Sequence, residues 1–333
     1  MIVAGIDIGT NTSRLLIAEY KEEEKCLLEK LRSERRITRL GTGISKNSLL
    51  SHDAIYRTVA AIDEFCNILE TYNIYDIVIV ATSAVREADN RDELIEAVKS
   101  KTSLEIEVLS GKGEAERTYL GILSGIGEIK ENYDDLMIID IGGGSTEFII
   151  TRKENHHKVK ERIDFISINM GIIYLTESYI TSAPLKEREH LKLKDKIEQE
   201  LNMVKNNAPS FFPVGSSLQG RMRGLIGTAG TITTLASISK GLTDYNSSRI
   251  NNYTLKLDII EDIFNQIAPK DINDRKKIPG LDKGREDIIV AGTVILMGIM
   301  KKFRFKEILV SDYGLKEGII IDRIQKIRSQ KIT

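Results

Sequence analysis

The apolar positions of this chain fall into short continuous runs separated by longer stretches with a one-sided spacing, a pattern of strands alternating with helices. Ile2 to Asp7 reads as a strand, Gly9-Thr10-Asn11 as a turn, and Leu15 to Tyr20 as the returning strand of a hairpin. Between Asp53 and Tyr72 the residues Ile55, Val59, Ile62, Cys66 and Leu69 recur at steps of four, three, four and three, the spacing of a helix with one apolar face. A strand from Asp76 to Ala81 follows. Next come a loop carrying Arg86, a helix near Asp92 to Lys99, a strand near Leu104 to Leu109 and a helix from about Gly113 to Ser124.

At Leu136 the plan starts again with MIID, a turn at Gly142-Gly143-Gly144, and a strand from Thr146 to Thr151. The segments IDIGTNTS from Ile6 and IDIGGGST from Ile139 share an apolar strand ending in Asp-x-Gly and a turn rich in glycine and hydroxyls. They lie 133 residues apart and suggest a duplicated domain. Beyond them, Gly171 to Ile180 and Leu185 to Val204 read as helices, the latter with a wet face of charges from Lys186 to Glu200. Asn207 to Arg221 reads as a loop, Arg223 to Ile226 as a strand and Thr231 to Ser239 as a helix. A helix from Arg285 to Met300, a strand from Glu307 to Val310 and a helix from Leu315 to about Ile327 complete the pattern, whose alternation favours an α/β fold.

With 333 residues, the chain has room for two domains. Its 48 basic and 49 acidic residues nearly cancel, so no global field draws in nucleic acid or an anionic membrane, and any anion must be held locally. The apolar run from Ile288 to Met300 is 13 residues long. That is short of the roughly 20 needed to span a bilayer, and it reads as a buried helix. No basic region precedes the first apolar stretch and Asp7 interrupts it, so a secretory signal is not expected and the expected compartment is the cytoplasm. Cys26 and Cys66 stand outside any CxxC pattern and read as packing residues.

The two Asp-x-Gly turns are the first candidates for chemistry. Closely spaced N–H groups in such a turn form a nest for phosphate oxygens, and Thr10, Asn11, Thr12, Ser13, Ser145 and Thr146 add side-chain donors. An aspartate beside a phosphate nest repels the phosphate unless a cation lies between them, so Asp7 and Asp140 read as Mg²⁺ ligands, directly or through water. For either turn alone, a structural turn capped by aspartate is an equal reading. A third turn, Gly227-Thr228-Ala229-Gly230-Thr231, precedes an apolar helix and aims its N–H groups at an anion, unless Thr231 is simply the helix cap.

Arg86 follows the strand DIVIVA, where open α/β sheets place ligand groups; it suits a phosphate fork or a solvated pair with Glu87 or Asp89. Glu114 opens a helix after Ser110-Gly111-Lys112-Gly113. Such a carboxylate can orient an attacking water, although the residues alone favour a routine first-turn acid. The cluster Arg32, Arg35, Arg36 and Arg39 either lines an anion path or decorates a strand. GxxxxGK[ST] is absent, GSSLQGRM from Gly215 being a near miss, and GxSxG, HExxH and paired CxxC are absent too. His52, His156, His157 and His190 have no metal-site spacing.

Taken with ITRLGTGI from Ile37, ATSAVREADN from Ala81, SGKGEAERTYLG from Ser110, REDIIVAGTVIL from Arg285 and VSDYGLKEGII from Val310, these motifs make the sequence similar to the exopolyphosphatase/guanosine pentaphosphate phosphatase (Ppx/GppA) family. The resemblance implies the actin, Hsp70 and sugar-kinase fold: two ribonuclease H-like domains, 1–124 and 125–313, around a cleft. The final helix, 314–333, packs back on the first domain, and no C-terminal HD-like domain is expected. It also implies that Glu114 is the catalytic glutamate and that Asp140 and Glu147 are the acidic residues around Mg²⁺, to which the first turn adds Asp7 as a candidate ligand. Asn11, Arg86, Gly143, Gly144 and Ser145 would then contact phosphates; the turns themselves add Thr10, Thr12, Gly227, Thr228, Gly230 and Thr231 as candidate phosphate donors. Thr10 and Thr12 replace the family's usual serines, Gly113 stands where an acid is common, and Tyr174 and Lys316 stand where arginine is usual. The implied activity is Mg²⁺-dependent release of terminal phosphate from inorganic polyphosphate or guanosine pentaphosphate, by a homodimer that binds neither nucleic acid nor membrane. A small-molecule kinase and a non-hydrolytic guanosine polyphosphate switch are the competing readings.

Overall fold

A computed structural model describes residues 1–21, 27–72, 74, 76–155, 158–208 and 222–332. Cys26, His156, His157 and most of the loop read from Asn207 to Arg221 lie outside them. The chain divides into two compact units, Met1–Ser124 with Tyr313–Thr333, and Gly125–Asp312.

The first unit runs β1 (Ile2–Ile8), β2 (Thr12–Lys21), β3 (Leu27–Ile37), α1 (Ile44–Asn47), α2 (His52–Thr71), β4 (Ile77–Ala81), α3 (Ser83–Glu87), α4 (Arg91–Thr102), β5 (Ile106–Val108) and α5 (Gly111–Ile126). Its sheet has the order β3-β2-β1-β4-β5, with an antiparallel meander on one side and β4 and β5 parallel to β1 on the other. The Ser51 hydroxyl accepts from Ala54 N to cap α2, which buries Ile55, Ile62, Phe65 and Leu69 against one sheet face. Cys66 packs at the margin of that core, and burial pushes its thiol up.

The second unit continues with β6 (Asp135–Ile141), β7 (Thr146–Asn155), β8 (Lys158–Ile168), α6 (Ile172–Tyr179), α7 (Glu187–Asn207), β9 (Arg223–Thr228), α8 (Ala229–Ser239), α9 (Ser247–Ile250), β10 (Tyr253–Lys256), α10 (Leu257–Ile267), α11 (Ile272–Arg275), α12 (Ile289–Phe303) and β11 (Glu307–Val310). Its strand order, β8-β7-β6-β9-β11-β10, repeats that of the first sheet and adds β10 at the edge. The fold is therefore α/β with two ribonuclease H-like copies, each a mixed sheet opened by an Asp-x-Gly hairpin. Among the described residues no helix is long and apolar enough to cross a membrane, and the Ile288–Met300 run lies in the buried α12.

Each hairpin has a third antiparallel strand: β3 carries Arg32, Arg35 and Arg36, which settles the strand reading of that cluster, and β8 returns beside β7. Several expectations need correcting. Arg86 sits in the short helix α3 rather than a loop, and Arg285 precedes α12, which starts at Ile289. The second core also includes the unread α10, through Ile260, Ile263, Phe264 and Ile267.

The last helix, α13 (Leu315–Ile332), returns to the first unit, where Leu315, Ile319, Ile320 and Ile324 cover Val3, Leu16, Ala18 and Val80. It crosses α5 at a glycine notch. A methyl on Gly121 would land on the Gly314 carbonyl, and one on Gly318 would land on the Arg117 carbonyl. Arg117 Nε also donates to Asp322 Oδ2 of α13 at 2.9 Å. Gly318→Ala is accordingly expected to lower stability by about 1–3 kcal/mol, read as an earlier urea midpoint. An unchanged midpoint would mean the crossing yields freely.

Candidate active site

In the first unit, β1 delivers Asp7 to the edge where the Gly9–Thr12 turn begins. Gly9 N donates to Thr12 O at 3.2 Å, and a Cβ on Gly9 would come within 2.8 Å of that oxygen, so glycine keeps the turn tight. Thr10, Asn11 and Thr12 are buried, and Asn11 Nδ2 donates to Thr12 Oγ1 at 3.4 Å. The segment after β3 buttresses the turn, since Gly41 N and Arg39 N donate to the Thr10 and Asn11 carbonyls. Asp7 is 4% exposed. Its Oδ2 takes a 3.1 Å salt bridge from Arg14, directly opposite on β2, while Oδ1 is buried with no hydrogen-bond partner among the described residues. Burial pushes the Asp7 carboxyl up, against the pull of Arg14 and Lys316.

The same unit joins Arg86 to Glu114. Ser110 caps α5, its hydroxyl accepting from Gly113 N at 3.1 Å, and this fixes Glu114 in the first turn. Arg86 Nη1 donates at 2.9 Å both to Glu114 Oε2 and to the Leu109 carbonyl, and Nε reaches Glu87 Oε1 at 3.4 Å. Glu114 is thus more than a solvated helix acid: it is buried in a charge-assisted pair. In the arginine cluster, Arg32 pairs with Glu34 and Arg36 with Glu34 and Glu64, which makes these two surface decoration. Arg35 lies opposite Arg14.

The second unit repeats the turn with different side chains. Gly142 N donates to Ser145 O at 3.0 Å, as Gly9 N does to Thr12 O. The Gly142 and Gly143 carbonyls accept from Ile172 N and Ile173 N in the first turn of α6, and a Cβ on Gly171 would collide with the backbone of Gly143 and Gly144. Asp140 lies opposite Glu147, where the first unit pairs Asp7 with Arg14. Glu147 is 1% exposed, and its Oε1 accepts from Ser145 Oγ at 2.6 Å and from Ser167 Oγ at 2.9 Å.

On the other flank, Asp140 neighbours Thr228 of β9 and Ile139 neighbours Gly227. Thr228, not Thr231, holds the cap position of α8, and its side chain makes no capping bond. Ala229 adopts φ +73°, a left-handed conformation that costs a residue with a Cβ and turns the chain sharply into the helix. Thr231 is buried in the first turn, with Oγ1 lacking a partner among the described residues. The Arg285 guanidinium lies across Gly230, where any side chain would collide with it.

Two opposed carboxylates on adjacent strands repel unless a cation offsets them. Mg²⁺ is bound by one or two carboxylates, with water and substrate phosphates filling the remaining positions, and Asp140 with Glu147 fits that donor set. Among the described residues no group of three or more His, Cys, Asp or Glu side chains converges, and His190 instead packs on Phe264. The sequence reading did not single out Arg14, Ser167 or Arg285. Arg14 had a signal: it follows Asp7 by seven residues, as Glu147 follows Asp140.

A duplicated α/β fold with an aspartate leading into a glycine-rich turn in each copy is the framework of a phosphate-handling protein. The chain belongs to the Ppx/GppA phosphatase family, whose model it matches over residues 16–327. It is 32% identical over 329 residues to the "Bifunctional 3-dehydroquinate synthase/phosphatase" of Fusobacterium nucleatum, covering 97% of this chain and 46% of that protein, so it spans about half the length of that relative. It is 26% identical to "Exopolyphosphatase 2" of Mycobacterium tuberculosis, covering 96% of this chain and 97% of that one. The crystal structure of the Aquifex aeolicus Ppx/GppA family member superposes with a TM-score of 0.76 at 28% identity, over 98% of both chains.

Proposed function

We propose that the chain is a Mg²⁺-dependent phosphohydrolase that releases terminal orthophosphate from inorganic polyphosphate or converts guanosine pentaphosphate to the tetraphosphate. The observation that carries this reading is the buried Glu114, fixed by the α5 cap and by Arg86 Nη1 at 2.9 Å. A carboxylate held this way takes a proton from water as the water oxygen bonds to the terminal phosphorus. The bridging P–O bond breaks, and its electrons leave on the shortened polyphosphate. Within the first unit, Arg86 matches phosphate oxygens in charge and fork geometry, and the N–H groups of the Gly9–Thr12 turn are donors that suit a phosphate; within the second unit, the Gly142–Ser145 turn offers donors of the same kind. Also in the second unit, the start of α8 presents backbone N–H groups that suit an anion.

In the second unit Asp140 and Glu147 would hold Mg²⁺; in the first, Asp7 keeps one buried carboxylate oxygen without a hydrogen-bond partner among the described residues. When bound, Mg²⁺ neutralises charge on the phosphate oxygens. The family and the name of the Mycobacterium relative support a phosphoanhydride as substrate. The test is orthophosphate release from short polyphosphate, long polyphosphate and guanosine pentaphosphate, each with Mg²⁺ and again after chelation. Release from at least one substrate that EDTA abolishes and added Mg²⁺ restores is expected. Binding without release would favour a nucleotide switch.

A further inference from the structure

Pairing across the second sheet aligns Thr228, Asp140, Glu147 and Ser167 in one row over β9, β6, β7 and β8. The equivalent row of the first sheet is Val80, Asp7, Arg14 and Arg35 over β4, β1, β2 and β3. Directly opposed residues of antiparallel strands share a face, so the two rows can be compared position by position. In the first copy, the acid at the end of the strand is answered by a guanidinium at 3.1 Å. In the second, the guanidinium position is occupied by Glu147 and the Arg35 position by Ser167.

Glu147 is 1% exposed, and a buried carboxylate is costly without hydrogen bonds. Both Ser145 and Ser167 give their hydroxyls to the same oxygen, Oε1, at 2.6 and 2.9 Å. Ser145 belongs to the glycine-rich turn, whereas Ser167 comes from the neighbouring strand and holds Glu147 from the side away from Asp140. Two donors from different elements, meeting on one oxygen, fix the carboxylate plane.

We infer that Ser167 is a positioning residue for the divalent cation: it does not touch the ion but sets the orientation in which Glu147 meets it. The inference rests on the Mg²⁺ reading proposed above. Outer partners of metal ligands typically change metal affinity by about 10–100-fold when removed.

The test uses Mn²⁺ as a paramagnetic probe. Free Mn²⁺ is followed by electron paramagnetic resonance during titration of the full chain, wild type and the variants Ser167→Ala, Ser167→Thr and Glu147→Ala, with circular dichroism melts alongside. Ser167→Ala is expected to weaken Mn²⁺ binding about tenfold or more at an unchanged melting temperature. Ser167→Thr, which keeps the hydroxyl, should restore binding, and phosphate release by Ser167→Ala should recover as Mg²⁺ is raised. A folded Ser167→Ala that binds Mn²⁺ as tightly as wild type overturns the inference while leaving the metal reading intact. Wild type and Glu147→Ala that bind Mn²⁺ equally, or not at all, overturn both.

Discussion

Replacing Glu114 with glutamine is expected to lower kcat by about 10²–10⁴-fold while leaving the protein folded. The amide fills the same volume, and its oxygen can still accept from Arg86 Nη1, which donates to Leu109 O as well. The cap of α5 is made by Ser110 and does not depend on the Glu114 side chain. What the variant loses is the capacity to take a proton from water. Thermal melts and substrate titration by calorimetry distinguish this loss from damage to the fold: melting temperature and affinity should hold while turnover collapses. Turnover near wild type in a folded variant would remove Glu114 from the chemistry.

Asp140→Ala is expected to reduce Mg²⁺-stimulated turnover by about 10²–10³-fold, the scale at which removing one charge-stabilising group acts. The substitution removes the carboxylate opposite Glu147. Relief of the opposed carboxylates is worth about 0.2–1 kcal/mol, so circular dichroism melts without metal serve as the baseline for each protein. Mg²⁺ should raise the melting temperature of wild type but not of the variant. A variant that keeps both its turnover and its thermal response to Mg²⁺ would rule out Asp140 as a ligand.

Much of this arrangement could be read along the chain because its signals are local. Glycines after Asp7 and Asp140 punctuate two apolar strands, and the matching turns, each closed by a glycine N–H, appear in the structure as in the motif. The strands β3 and β8 carry weaker apolar signals. The LRSERRI run of β3 carries charges on the face that pairs with Glu64 and leaves little apolar alternation to detect. α10 carries a local signal of its own, since Ile260, Ile263, Phe264 and Ile267 follow helical spacing.

The pairings that build the candidate site were out of reach for a different reason. Arg86 and Glu114 are 28 residues apart, and Ser167 meets Glu147 only through the register of a strand that no motif marks. Arg285 packs over Gly230 from a segment that helical spacing assigned to α12, which shows that a turn there serves a tertiary contact. Residue types and turns belong to local sequence, whereas their partners are set by sheet order and helix crossing.

The most direct measurement is phosphate release in ¹⁸O-labelled water with Mg²⁺, from polyphosphate and from guanosine pentaphosphate, by wild type and Glu114→Gln side by side. The expected result is orthophosphate that has gained an oxygen from water in wild type, formed at least about 10²-fold more slowly by the variant. Tight binding with no labelled phosphate, or equal rates from the two proteins, would contradict water attack assisted by Glu114.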